Sequence, residues 1–225
     1  MTRLMRTSEI TALPVVTLAG DDVAQVKDIE FSGNGGAVAG FTLAGRGLFA
    51  GPLKTGLTWT NVLGLGPDAV IIRDEAALGP VDDVRRAAES EGSAGGNVLG
   101  DQVLTDGGTD LGTVVDVVVQ YDDGTSACDV VGYEIEASAH LAAKASNASN
   151  GTRLLVPLPD TLAVSGEHLM VPASAEGFVS GDLAGFGAAV AAFRAQLGAP
   201  RTGSPAGSPA GTPTGSPTGT DEGGI

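Results

Sequence analysis

Few side chains in this sequence have the type and spacing that chemistry requires. The two histidines, His140 and His168, stand apart from each other and from the single cysteine, Cys128. A thiolate zinc site and an intrachain disulfide are both excluded by one cysteine. Cys128 sits just before Val130 and Val131 in a β-like run, where the ordinary role of a lone thiol is that of a small buried hydrophobe. Gly177-Phe178-Val179-Ser180-Gly181 has the wrong spacing for a serine nucleophile elbow. Gly64-Leu65-Gly66-Pro67-Asp68-Ala69 superficially resembles a dinucleotide-binding loop, but no helix follows it and Pro67 removes an amide donor that a phosphate would need. It reads as a turn. The acidic turns Asp21-Asp22 and Asp122-Asp123 could hold a cation, yet they lack the ligand spacing of a calcium loop. The expectation is a protein that is not an enzyme, with no catalytic residue, cofactor or metal ligand to name.

Two further aspartates matter because they recur. Gly20-Asp21-Asp22-Val23-Ala24-Gln25-Val26-Lys27-Asp28-Ile29 returns 88 positions later as Gly108-Thr109-Asp110-Leu111-Gly112-Thr113-Val114-Val115-Asp116-Val117. Gly, Asp, Val and Asp match at one spacing, and the apolar positions match with them. As functional groups, Asp28 and Asp116 would be metal or partner ligands. As structural groups, they would accept hydrogen bonds from a neighbouring turn in each copy. The structural reading is favoured, because repeated fold-determining residues are expected in any duplicated domain.

The elements that carry these residues are short strands with Gly-containing turns, the pattern of small β-barrels. In the first copy, strands are expected at 15–18, 23–31, 38–43, 57–59 and 69–73, with a hairpin loop at 32–36 and an irregular stretch at 45–54. The second copy places them at 103–104, 111–121, 129–136, 153–158 and 168–171, with a loop at 122–125. In its returning strand, Val131, Tyr133 and Ile135 face one way and Gly132, Glu134 and Glu136 the other. The insertion 138–149 has an Ala-rich centre able to form a short helix. Between the copies, 81–90 reads as a short helix with Asp82 and Arg86 at i,i+4 spacing, followed by a flexible 92–96. After the second copy, Asp182 caps a helix over 183–197 whose Phe186, Val190, Phe193 and Leu197 form one apolar stripe. That stripe packs on its own chain or forms a docking or dimerisation face. From Ala199 onward, Gly-Ser-Pro and Gly-Thr-Pro steps without a large apolar residue before Ile225 predict a disordered tail.

Composition narrows the partners. A net charge of −15 repels phosphate backbones and anionic lipid, so nucleic acid is not expected as a partner. No stretch approaches the roughly 20 apolar residues of a membrane helix. The N-terminus carries Arg3 and Arg6, but Ser8, Glu9 and Thr11 break any apolar core of a signal peptide. The expected location is cytoplasmic.

Each copy resembles a PRC-barrel domain. The resemblance rests on Val23-Ala24-Gln25-Val26-Lys27-Asp28-Ile29 and Leu111-Gly112-Thr113-Val114-Val115-Asp116-Val117. It rests also on Trp59-Thr60-Asn61-Val62 with Gly66-Pro67-Asp68-Ala69-Val70-Ile71-Ile72, and on Gly166-Glu167-His168-Leu169-Met170-Val171-Pro172 in the second copy. Ala24 departs from the family's usual Gly, which Gly112 keeps. The resemblance implies an all-β fold with minor α. Two small PRC-like barrels stand in tandem at 3–78 and 97–175, joined by a linker at 79–96. A C-terminal amphipathic helix at 182–198 and a disordered tail at 199–225 follow. It also implies a protein-interaction module without catalytic apparatus, here an adaptor or scaffold. The alternative is a ligand- or metal-binding sensor with a site between the barrels. Partner-binding candidates are Leu48, Phe49 and Trp59 in and beside the irregular loop, and Phe186, Val190 and Phe193 on the helix, which would also serve a homodimer.

Overall fold

The computed structural model describes residues 2–32, 36–47, 51–89, 98–122, 127–144, 152–158, 163–165 and 168–198. The expected loop segments 33–35 and 123–126, the stretch 92–96 read from sequence as a flexible linker, the second half of the 138–149 insertion and the segment 199–225 read as a tail lie outside them.

An extended segment, Thr2–Arg6 (β1), leads into a single helical turn, Thr7–Ile10 (α1). Six strands follow: Pro14–Thr17 (β2), Asp22–Phe31 (β3), Val38–Ala44 (β4), Pro52–Thr58 (β5), Val62–Leu65 (β6) and Val70–Ile72 (β7). The two-residue Gly79–Pro80 (β8) and the helix Val81–Glu89 (α2) close this half. The second half runs through Gln102–Thr105 (β9), Asp110–Asp122 (β10), Cys128–Ala137 (β11), the helix Ala139–Lys144 (α3), Arg153–Pro157 (β12), Ala163–Ser165 (β13) and His168–Val171 (β14). A 3-10 segment, Ala173–Phe178, then precedes the helix Leu183–Gly198 (α4).

The two halves pair their strands in one order. The first sheet runs β6-β7-β2-β3-β4-β5-β8, and the second runs β12-β11-β10-β9-β14-β13, with β1 added to β10. Read from the same end, these are the same path. In each, the first strand pairs in parallel with the last long one, Val15 opposite Val70 and Val103 opposite Leu169. The bulges coincide as well, between Val26 and Asp28 on β3 and between Val114 and Asp116 on β10. A bulge bends a strand and sharpens its twist, which curls each sheet. The first sheet is a half-barrel: β6 at one end and β5, the last long strand at the other, are joined by the turn Trp59–Asn61, with no ladder between them among the described residues. The repeated glycine has a backbone reason. Gly20 and Gly108 sit at φ +90° and +77° in equivalent turns, a region that side chains disfavour.

Each sheet carries a helix on its outer face, seated over a glycine. Val84 of α2 covers Gly40 of β4 and Gly56 of β5, and a Cβ at those glycines would come within 2.9 and 2.7 Å of its methyl groups. Phe186 of α4 covers Gly132 of β11 in the same way, and any Cβ there would overlap its ring. Gly40 and Gly132 hold matching register positions, opposite Glu30 and Val118. The inner faces of both sheets share one apolar core that includes Val15, Phe41, Leu57, Val103, Leu111 and Leu169.

Three local expectations are corrected. The stretch 45–54 is not irregular throughout, because Ala44 pairs with Pro52 and β5 begins there. Pro, Lys and Gly in Pro52–Thr58 hide a strand that has no apolar alternation. In β11 the alternation breaks at a bulge between the Val118 and Val119 pairings, so Val131 faces α4 while Tyr133 and Ile135 face the main core. On α2 the ion pairs are i,i+3, Arg86 to Asp83 at 2.8 Å and Arg85 to Asp82 at 3.5 Å, in place of Asp82 with Arg86. No helix among the described residues is long and apolar enough to cross a membrane.

Candidate functional site

The residues that join the two sheets form the most elaborate polar and aromatic constellation in the chain. They begin with β1, whose five residues pair antiparallel with Val118–Asp122 of β10, Met5 opposite Val119. By sequence this strand precedes the first sheet, but its ladder is wholly with the second. Met5 is buried, and the chain then turns through α1, where Ile10 is fully buried.

Two carboxylates from the second sheet receive this segment. Asp116 and Glu134 are cross-strand neighbours, each only 5% exposed. Asp116 accepts from the Thr7 hydroxyl at 2.6 Å, the Ser8 hydroxyl, the Ser8 amide at 3.3 Å and the Val117 amide at 2.8 Å. It therefore caps the start of α1 from another part of the chain, where free amides and the helix dipole favour an anion. Glu134 takes Arg6 at 3.0 Å and Arg153 at 3.7 Å. The hydrogen bond to Glu134 is the main cause that raises the Arg6 pKa, against the opposing effect of its partial burial. Arg6 also bonds Glu9, whose carboxylate accepts the Arg6 amide at 2.9 Å. These contacts bolt the N-terminal segment across β10 as a strap.

The repeated aspartates thus part company. Asp116 is structural in the expected sense, holding a neighbouring turn. Asp28 is exposed, with its side chain 60% accessible, and among the described residues it meets Lys27 at 2.8 Å and Thr42 at 3.2 Å. No signal local to the sequence distinguishes them, because the groups that bury Asp116 come from more than 100 residues away.

Trp59 lies in the seam between the sheets. It packs edge-on against Phe41 of its own sheet, with centroids 6.1 Å apart, and against Tyr121 of β10 at 6.5 Å. Tyr121 donates its hydroxyl to the Leu65 carbonyl, so one residue of the second sheet is tied to β6 of the first. Nearby, the Val130 amide donates to Gly36 at 2.9 Å, and Ala37 bridges Asp129. Among the described residues, this part of the seam is packed by aromatic and apolar side chains and crossed by hydrogen bonds. Burial, and then the neighbouring Asp129, push the Cys128 thiol up to about 12. Burial, with a smaller effect of Asp101, pushes the Tyr133 phenol up to about 12 as well. A buried, neutral thiol has no nucleophile to offer.

The predicted partner-binding residues fall in two groups. Leu48 and Phe49 lie outside the described residues. Trp59, Phe186, Val190 and Phe193 are all buried within the chain. The helix stripe packs on β11, β12 and the 3-10 segment, with Phe193 5.3 Å from Phe178, and only Leu197 remains exposed. Burial leaves little of these four side chains for another molecule, although Val190 also reaches the open groove beside β1. The outward side of α4 instead borders an open groove of about 700 Å³ against β1, lined by Leu4, Leu183, Gly187, Ala191 and Arg194 among others. His140 lies 3.8 Å from Glu176, which also pairs with Lys144, and His168 opens β14. Among the described residues, no three His, Cys, Asp or Glu side chains gather as metal ligands. The turn at Gly66 closes on Ala69 at 2.9 Å between β6 and β7, as a turn and not as a phosphate loop.

No curated protein matches the chain. A family model does over part of it: residues 3–78, which build β1 to β7, match the PRC-barrel domain model.

Proposed function

We propose that this chain is a non-enzymatic, cytoplasmic adaptor or scaffold that binds a protein partner through two tandem PRC-barrel-like domains, the second over 97–175. The second domain is supported by its strand order, its parallel closing pair and its bulge, each repeating the first sheet. The observation that carries the functional reading is the PRC-barrel match at 3–78. Such domains often serve in protein-interaction or scaffold roles. The buried cysteine and the dispersed, paired histidine and carboxylates are in keeping with that reading. The acidic surface favours a partner with a basic face.

Affinity capture with the full chain from native lysate tests this. The expected result is one protein recovered at near-stoichiometric level and lost at high salt, since rim charges are screened. Recovery of nothing above the background of an unrelated acidic protein would count against it.

A further inference from the structure

We infer that the N-terminal strap, Thr2–Ile10, is exchangeable between copies of this chain: it leaves its own β10 and closes on the β10 of a second copy, giving a strand-swapped dimer. This concerns the assembly of the chain with itself and is independent of the partner that the adaptor reading requires.

The strap belongs to the first half by sequence and to the second sheet by contact. Thr2–Arg6 forms its ladder with Val118–Asp122, and α1 packs on β10. Thr7 and Ser8 donate to Asp116, and Arg6 donates to Glu134. These ties end on β10 and β11, and a second copy offers the same groups in the same geometry. The closed chain and an exchanged pair therefore make the same strap contacts. They differ at the joint that connects the strap to its own body.

That joint is a strained turn. Ile10, Thr11, Ala12 and Leu13 form a tight turn in which the Leu13 amide donates to the Ile10 carbonyl at 3.1 Å. Thr11 has φ −60° and ψ 135°, and Ala12 has φ +73°, the one positive φ outside glycine among the described residues. A negative, extended residue followed by a positive φ is the pattern of a type II turn, whose third position calls for glycine. A methyl side chain in that region is strained against its own backbone. Ala12 is held there from β3: its amide donates to the Val26 carbonyl at 2.9 Å, and its carbonyl accepts from the Gln25 side chain at 2.7 Å.

The place where the chain swings is narrow. Leu13 is fixed to β3 through its carbonyl, which accepts the Val26 amide at 2.9 Å, and it precedes Pro14, which favours extended backbone in either state. Thr11 is already extended, and both Thr11 and Ala12 are exposed. Rotation of Ala12 into the ordinary extended region straightens the joint, carries the strap away from its own body and releases the strain. A short connection that relaxes only when open favours exchange between copies. An open monomer is costly, because Asp116 and Glu134 lose the donors that the strap brings. The strap therefore recloses on its own copy in dilute solution and on a neighbour's β10 in concentrated solution, each copy filling the other about a two-fold axis.

Full chains carrying both Leu4→Cys and Gln120→Cys, positions that face each other across the ladder, test the exchange. Chains with ordinary and heavy nitrogen are mixed in urea, refolded together at millimolar concentration and oxidised. Mass spectrometry is expected to find light strap peptides linked to heavy β10 peptides. Sedimentation of the wild-type chain is expected to show a dimer whose share grows with the concentration at refolding. Ala12→Gly suits the turn and so folds. It should need about tenfold more chain, or more, to reach the same dimer share, since each of the two joints loses its strain. Links confined to strands of one isotope, or a wild-type chain that stays monomeric after concentrated refolding, would overturn the inference. A dimer unchanged by Ala12→Gly would overturn it too, because that dimer uses another surface. If no disulfide forms, the sedimentation of wild type against Ala12→Gly decides alone.

Discussion

Asp116 does at the residue scale what its repeat Asp28 does not. Removing a buried carboxylate that accepts from two hydroxyls and two amides leaves those donors unpaired. Asp116→Ala is therefore expected to lower stability by about 2–4 kcal/mol in urea denaturation, whereas Asp28→Ala should change it by less than about 0.5 kcal/mol. Equal effects would contradict the strap geometry. Alkaline pH tests burial at the same scale. The folded chain holds Cys128 and Tyr133 neutral, with both pKa values raised to about 12 from 9.0 and 10.0. A raised folded pKa contributes stability that is complete below the unfolded value and is lost as pH rises through the folded one. The urea midpoint should therefore hold to pH ~8 and fall steadily toward pH ~11, with a shallower fall in Tyr133→Phe. A flat profile would mean that these groups meet water in the folded state.

Helices and strands with local signals were legible from sequence, and elements defined by distant partners were not. The helix stripe of Phe186, Val190 and Phe193 fixed α4, and Asp182 caps it by accepting the Gly185 amide at 2.7 Å. The repeat located β2, β3, β9 and β10, because turn glycine and β-branched residues recur together. By contrast β1 and α1 carry no local signature: Thr2–Ile10 is ordered by Asp116, Glu134 and Val118–Asp122, which sequence proximity cannot reveal. The candidate site is less legible, because an apolar residue such as Trp59 or Phe186 carries no local mark of whether it anchors a partner or fills the core, and the fold buries both. Element packing yields its own test. Gly132→Ala drives a methyl into the Phe186 ring and should cost about 1–3 kcal/mol, and Phe186→Leu should restore part of that loss. Additive losses would show that the helix does not rest on that glycine.

Across the whole molecule, two sheets share one core, held by Trp59 and Tyr121 in the seam and by a strap reaching from the start of the chain to the far sheet. Removing residues 1–10 should uncover Val117 and Val119, lower the urea midpoint, and increase hydrogen exchange along β10 more than along β3. Unchanged protection of β10 would contradict the strap's role. The proposed adaptor role is tested most directly by lysine crosslinking of the full chain in its native cell, read by mass spectrometry. The chain's only lysines are Lys27, Lys54 and Lys144, so each link reports a distinct place. The account predicts links from at least one of these lysines to one partner protein in excess over all others. Links found only within the chain, with none to another protein, would contradict it.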